Sequence, residues 1–313
     1  PGQRIVDLAT RAAHDPIASI GRVLGDRRVS YKYLNENTIV VAIIEDEKTS
    51  LTIQLIDTVS GQILSSQIYD GVDPFKEISC VISENWFSCS FYGQYNLNDG
   101  TNRAIKGYQI VTSDLYESST PNDRGPLGNA ANFSSLAPVD SPTGRPPLPF
   151  VVSQGWVVPQ PLTHLTVTQT RQGIASRQLV AYMPETHAVV GIPRMALDPR
   201  RPVGRDPSAP EMEAEGLMKY WASLEIDPRS VVSHERDVIG VRGLVPNPAL
   251  VESTSLLVSY GVDIFATRVA PSGVFDILGK GFNKLTLILT VLALFGGVVF
   301  LSPMVSWLPS LIQ

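Results

Sequence analysis

Hydrophobic and polar residues alternate along Leu51–Asp57, LTIQLID: Leu51, Ile53 and Leu55 share one face, and Thr52 and Gln54 the other. Successive side chains of an extended strand point to opposite sides, so this pattern predicts a half-buried β-strand. The turn Asp57-Thr58-Val59-Ser60-Gly61 follows, and then a second run, QILSSQIY. Comparable runs predict strands at Thr38–Ile44, Ile78–Ile82, Trp86–Tyr92, Lys106–Val111, His164–Gln169, Gln178–Met183, Ser253–Tyr260 and Val262–Arg268. Short antiparallel strands separated by turn signals point to a sandwich, barrel or propeller. The Asp-x-x-Ser-Gly turn favours propeller blades. The runs supply about three blades' worth of strands, fewer than a closed propeller needs.

Three stretches break the alternation. Residues 113–149 are rich in Pro, Ser, Gly and Asn, a composition that cannot build a core, and are expected to form a flexible insertion. ALDPRRPVGRDPSAPEME is a Pro- and Arg-rich loop. Leu217, Tyr220, Trp221 and Leu224 follow it at helical spacing and predict a short helix there. Finally, Leu285–Gln313 contains no Asp, Glu, Lys or Arg. Leu285–Trp307 is long enough to cross a bilayer, with Lys284 and Trp307 placed where interfacial anchors belong. A buried core helix is the alternative. Thr286, Thr290, Ala293 and Gly297 are spaced four, three and four apart and line one side of that helix, a candidate packing face for a partner helix in lipid. The segment before it, PSGVFDILGKGFN, mixes apolar residues with Asp276 and Lys280 and is suited to the membrane surface. Lys280 and Lys284 precede the span, so the positive-inside rule taken literally puts the large domain in the cytosol.

The chain has 313 residues, a net charge of −5, and 24 each of Gly and Pro, which suits a turn-rich folded protein and gives no electrostatic reason to expect nucleic acid. It begins at Pro1 without a signal peptide and is read as a fragment or a processed chain. Cys80 and Cys89 lie in ISCVISENWFSCSFY. If Glu84-Asn85 is a hairpin turn they face each other at a Cα separation of roughly 4.5–5.5 Å, within disulfide reach. Two buried free thiols remain the other reading. Asn132-Phe133-Ser134 is a candidate glycosylation sequon.

No enzyme signature emerges. His14, His164, His187 and His234 are far apart, HERD lacks a second histidine four residues on, and GKGFNK lacks the third glycine of a dinucleotide loop. No catalytic, cofactor-binding or metal-ligating residue is assigned. In ASIGRVLGDRRVSYKYLN, Arg22, Arg27 and Arg28 are of a type that meets phosphate, but Gly25-Asp26 reads more simply as a turn between two strands, with the arginines solvated or paired to acids.

Taken in order, IASIGRVLGDRRVSYKYLN, SENW, GIASRQL, GIPRMALDPRRP and ESTSLLVSYGVDIFATRVAPSGVFDIL resemble the C-terminal part of subunit 1 of the ER membrane protein complex, in a fungal-like form. The resemblance covers nearly the whole chain except the insertion near Asn132. It implies a mainly β fold: the last blades of a membrane-proximal, ER-lumenal β-propeller, followed by one transmembrane helix. On that frame, residues 1–112 form propeller blades, 113–150 the flexible insertion, 151–196 propeller strands, 197–235 the Pro/Arg-rich loop and short helix, 236–271 closing strands, 272–284 an interfacial segment and 285–307 the span. It also implies a non-catalytic scaffold without cofactors. Its partners would be the other subunits, the lipid bilayer and client membrane proteins, with tail-anchored and multi-pass clients inserted into the ER membrane. Two features depart from the family pattern: no basic tail follows the span, and the insertion is long. A membrane-tethered propeller enzyme of quinoprotein type is the alternative, and it needs metal-binding carboxylates near the propeller axis.

Overall fold

The computed structural model describes residues 2–13, 15–45, 47, 49–96, 104–122, 135–136, 145–272 and 283–307. The chain divides into two compact units, Pro1–Val274 and Phe275–Gln313. Among the described residues the first unit holds four antiparallel sheets of three or four strands. Sheet 1 is ordered β1 (Gln3–Thr10), β4 (Thr38–Glu45), β5 (Ser50–Asp57), β6 (Ile63–Tyr69). Sheet 2 is a meander of β7 (Ser79–Ser83), β8 (Trp86–Asn96), β9 (Ala104–Tyr116) and β10 (Phe150–Val158). Sheet 3 comprises β11 (Thr163–Val167), β12 (Gln178–Met183) and β13 (Ala188–Pro193), and sheet 4 comprises β14 (Val241–Pro248), β15 (Ser255–Gly261) and β16 (Ile264–Val269). A small ribbon of β2 (Gly21–Val23) and β3 (Val29–Tyr31) lies between β1 and β4 in sequence.

The first strands of successive sheets lie against one another: β1 on β7, β7 on β11, and β11 on β14. The sheets therefore fan outward from an inner row of strands, as blades do in a propeller. Three apolar layers fill the gaps between neighbours. Val40, Leu51 and Leu55 of sheet 1 meet Phe87, Phe91 and Leu115 of sheet 2. Ile110 and Trp156 of sheet 2 meet Leu165, Leu179 and Val190 of sheet 3. Val180 and Tyr182 of sheet 3 meet Val241, Leu257 and Val269 of sheet 4. In β12, Leu179, Ala181 and Met183 enter one layer while Val180 and Tyr182 enter the next. Burial on both faces explains why this strand reads as a continuous apolar run. The outer faces of the two end sheets are also apolar but uncovered: Ile5 and Ile68 of sheet 1 are 64% and 67% exposed, and Ile264 of sheet 4 is 80% exposed.

Each predicted strand has a counterpart, displaced by a few residues at most. The Asp57 turn forms as its residues dictate: Asp57 Oδ2 accepts from the Ser60 backbone N–H at 2.7 Å and from its hydroxyl at 2.5 Å, and Gly61 takes φ 69°. Gly25-Asp26 does lie between two strands, β2 and β3. Four sheets are present where the alternating runs suggested about three blades. The difference comes from β1, β10, β13 and β14, whose glycines, prolines or charged residues mask their strand pattern.

Two expectations are corrected. β9 continues through Ser113–Tyr116 and β10 begins at Phe150, so both ends of the expected insertion, 113–150, are strand. The buried polar groups of β9 are satisfied there, since the Ser113 and Ser153 hydroxyls are 2.7 Å apart. The short helix is α1 (Ala209–Glu215), not Leu217–Leu224. A Ser208–Glu211 capping box and Pro210 start it, and Gly216, in the left-handed region at φ 66°, stops it. Beyond Gly216 the chain is irregular: Leu217 and Leu224 are buried at separate points of contact, while Trp221 remains 64% exposed. Most of the insertion, including Asn132, and most of the interfacial segment fall outside the described residues.

The doubly buried β12 makes a quantitative prediction. Leu179 is fully buried in the sheet 2–sheet 3 layer, so Leu179→Ala removes its contacts and leaves a cavity, costing about 2–5 kcal/mol. Thermal unfolding should report a Tm several degrees lower.

Candidate functional site

The side chains that lock the sheets together gather at one end of them, in or beside the connections that follow β1, β7, β9, β11, β13 and β14. Arg177 precedes β12, and only 8% of its side chain is exposed. Its Nη1 donates to Asp15 and to Ser83 Oγ at 2.7 Å, its Nη2 donates to the Pro16 carbonyl at 2.7 Å, and Glu84 Oε2 lies 3.8 Å from its Nε. Glu84 also pairs with Lys32, and its backbone N–H donates to Asp15 Oδ2 at 2.8 Å. One guanidinium thus ties sheet 3 to the loop after β1 and to the β7–β8 turn. Gly173 lets the neighbouring loop close in: it sits at φ 69°, and a Cβ there would lie 2.1 Å from the Pro16 carbonyl oxygen.

A second charged cluster joins the β2–β3 ribbon, the end of β9 and the segment after β13. Arg22 Nη2 donates to Asp198 Oδ2 at 2.6 Å, and Arg194 pairs with Asp114. Arg200 spans Asp198 at 3.2 Å and Glu215 at 2.5 Å. Burial alone raises both aspartates. For Asp198 the guanidiniums of Arg22, Arg200 and Arg194 outweigh it and hold the carboxyl well below the usual range. Asp114 is pushed up by burial, with Arg194 opposing and the Asp198 charge adding to the rise. Arg22 and Arg28 are therefore paired with acids, and the acids that hold Arg22 are remote in sequence.

A third clasp holds sheet 4. Glu252, in the loop before β15, accepts from Thr170 Oγ1 at 2.8 Å and from the backbone N–H groups of Gln172 at 2.7 Å, Ile174 at 2.7 Å and Ala175 at 3.2 Å. Burial raises this carboxyl, but those donors prevail and lower it below its ordinary 4.5.

Cys80 and Cys89 are direct cross-strand partners on β7 and β8, with Cα atoms 4.1 Å apart and their sulfurs joined, within the sheet 1–sheet 2 layer. In the second unit, α2 (Lys284–Trp307) is long and apolar enough to cross a bilayer, and none of Lys284–Ser302 is buried. Thr286, Thr290, Ala293 and Gly297 share one side of it. Thr290 Oγ1 donates to the Thr286 carbonyl at 2.8 Å, which satisfies the hydroxyl within the helix, and at Gly297 a Cβ would meet nothing within 4 Å. Among the described residues no three His, Cys, Asp or Glu side chains converge on a metal position. His164 lies beside Glu77 and Tyr182, and His187 beside the Tyr182 hydroxyl, so these two serve side-chain packing.

Sequence reasoning did not single out Arg177, Asp114, Asp198 or Glu252. No spacing rule marks them, because the partners that join them to other sheets lie 77 to 176 residues away. The Glu252 clasp should respond to acid in a defined direction. Its folded pKa is depressed, so its contribution is complete above the ordinary value of 4.5 and is lost as pH falls through the lower folded value. Amide protection in 169–177, corrected for intrinsic exchange, should fall severalfold as pH is lowered from 7 to about 3. Glu252→Gln should lower it already at pH 7 and flatten the pH response.

Comparison with known proteins gives this architecture a family. A family model described as ER membrane protein complex subunit 1, second beta-propeller, matches residues 1–272, which takes in all four sheets. The chain is 32% identical over 285 residues to ER membrane protein complex subunit 1 of Gallus gallus, covering 90% of this chain and 26% of that protein. The Schizosaccharomyces pombe protein of the same name is 30% identical over 304 residues, covering 97% and 32%. The Saccharomyces cerevisiae one is 27% identical over 291 residues, covering 92% and 36%. The chain thus spans about a quarter to a third of the length of these relatives. With its sheets inside the matched region and one bilayer-length helix beyond it, the chain belongs to the family of ER membrane protein complex subunit 1 and carries that family's second β-propeller region.

Proposed function

We propose that this chain is a non-catalytic, membrane-anchored scaffold within the ER membrane protein complex, with its sheets in the ER lumen and α2 as a single span. In this role it braces the subunits that form a path for tail-anchored and multi-pass clients. The observation that carries the reading is family membership over residues 1–272 together with a bilayer-length helix that begins at Lys284. Insertion requires no covalent chemistry. It requires an assembly that lowers the cost of moving polar flanks and apolar helices into lipid, and rigid sheets cross-braced by buried ion pairs suit that work. On this reading the side of α2 bearing Thr286, Thr290, Ala293 and Gly297 packs against another subunit's helix, where small residues permit close approach. Residues 272–284 lie at the membrane surface, and Asn132 is accessible for glycosylation.

The paired Cys80 and Cys89 favour the lumenal side, since disulfides persist in oxidising compartments. The two lysines that precede the span are too small a charge bias to oppose it.

Purification of the full-length protein from ER membranes in mild detergent should recover a fixed stoichiometric set of other membrane subunits. Gly297→Leu should deplete at least one of them, and recovery as a lone protein would contradict the scaffold reading. Orientation has its own measurement. After denaturation without reductant, Cys80 and Cys89 should resist thiol labelling and become reactive only once reduced; prompt labelling of both would contradict a lumenal disulfide.

A further inference from the structure

The loop between β14 and β15 turns its apolar side chains outward. Leu250 is 85% exposed and Val251 48% exposed. The loop is nevertheless well held. The Ala249 N–H donates to the Thr254 carbonyl at 3.3 Å, the Thr254 N–H donates to the Val251 carbonyl at 3.1 Å, and Glu252 is gripped by its four donors from the β11–β12 connection. One of those donors is the N–H of Ile174, whose own side chain brings a further apolar group, 51% exposed. None of these three side chains belongs to the apolar layers between the sheets. Exposed apolar residues occur at the other end of the sheets too, Phe75 at 93% among them, so exposure alone singles out nothing. Position does. Val269, the last residue of β16, pairs with Ser255, the first of β15, so the chain leaves sheet 4 at the end where this loop sits. Residues 270–283 then lead to α2. Fully extended, that connection reaches about 50 Å, and the other end of sheet 4 is farther from the exit by the length of β15, about 24 Å. Arg268, exposed and next to last in β16, adds at this end a guanidinium, a group that pairs with phosphate.

We propose that Ile174, Leu250 and Val251 form a lipid-contacting tip, seated at the boundary between headgroups and acyl chains of the bilayer that α2 crosses, with Arg268 among the headgroup phosphates. This rests on reading α2 as a membrane span. Lipid is the occupant because the chain's own connection keeps this end of sheet 4 within reach of the bilayer, and a tethered surface meets its target at high effective concentration. The boundary region also accepts both chemistries offered here: aliphatic side chains sink toward the acyl chains, and a cation stays level with the phosphates. The Glu252 clasp gains a purpose on this reading. It orders two loops in advance, so that contact with lipid costs little further conformational entropy.

The test uses the full-length protein in its membrane complex, held in phosphatidylcholine nanodiscs so that solutes reach both faces. An environment-sensitive fluorescent amino acid replaces Leu250 in one variant, Phe75 in a second and Phe295 in a third. Phe295 lies on the side of α2 opposite Thr286, Thr290, Ala293 and Gly297. Quenching by iodide is compared with quenching by lipids that carry a nitroxide near the headgroup or midway along the acyl chain. The expected result is that the shallow nitroxide dims the Leu250 probe at least about twofold and iodide leaves it bright, as for a group about 5–10 Å into the boundary. The Phe75 probe should show no quenching by lipid, and the Phe295 probe should respond to the deeper nitroxide. If the Phe295 probe responds to lipid while the Leu250 probe responds to iodide alone, or to neither quencher, the proposal is overturned and the span stands. Equal lipid quenching at Phe75 and Leu250 would overturn it as well. If the Phe295 probe escapes both nitroxides, the span reading fails and the proposal falls with it.

Discussion

The guanidinium of Arg177 is charged and almost wholly removed from water, and it is neutralised by acids from two other sheets' loops. A buried charge of this kind tolerates little displacement. Removing one partner of a buried pair typically costs about 3–5 kcal/mol, because the remaining charge is stranded. The apolar layers between sheets supply most of the attraction but are not directional. Sliding one sheet along its neighbour by a few ångströms would cost the apolar layers little and would break Arg177 from Asp15 and Ser83. The ion pair therefore fixes how the blades are set against each other, and the layers hold them there.

The Arg22–Asp198 and Arg194–Asp114 cluster does the same work further out, where an irregular chain returns along the edge of sheets 2 and 3. Both aspartates are buried, so each needs a guanidinium at hand. The arginines arrive from segments that otherwise have little apolar surface to bury: the β2–β3 ribbon and the turn after β13. Polar, Pro-rich connections are thereby seated on a β scaffold without a core of their own. This explains how a chain with so many loop-forming residues still yields one compact first unit.

Much of the fold was legible in the sequence because period-two alternation is local. Leu51–Asp57 could be read from its alternation and Gln178–Met183 as a short apolar run, and the Asp57-to-Gly61 turn from its own residues. The span was legible because twenty or more uncharged residues leave few alternatives. What escaped was nonlocal. β14 contains Pro246 and Pro248 and gains strand status only by pairing with β15. Leu217–Leu224 has helical spacing, but its two leucines are buried as separate anchors, and the upstream Ser208–Glu211 capping box claims the helix instead. The clasps were invisible for the same reason: a carboxylate such as Glu252 is identified by its donors, and these lie 77 to 82 residues away.

The layer between sheets 3 and 4 is the smallest of the three, and the Glu252 clasp supplements it. Sheet 4 is also the sheet from which the chain departs, fourteen positions separating β16 from α2. Tension carried along that connection enters the first unit beside sheet 4 and reaches sheet 3 across the thin layer, the Glu252 clasp and the Gln169 N–H, which donates to Ser255 Oγ at 3.1 Å. These links share the load side by side, and the layer among them is thinner than the one between sheets 2 and 3. Sheet 4 is thus placed as a mechanical fuse: it can give way to pulling while the Arg177-braced sheets behind it keep their arrangement.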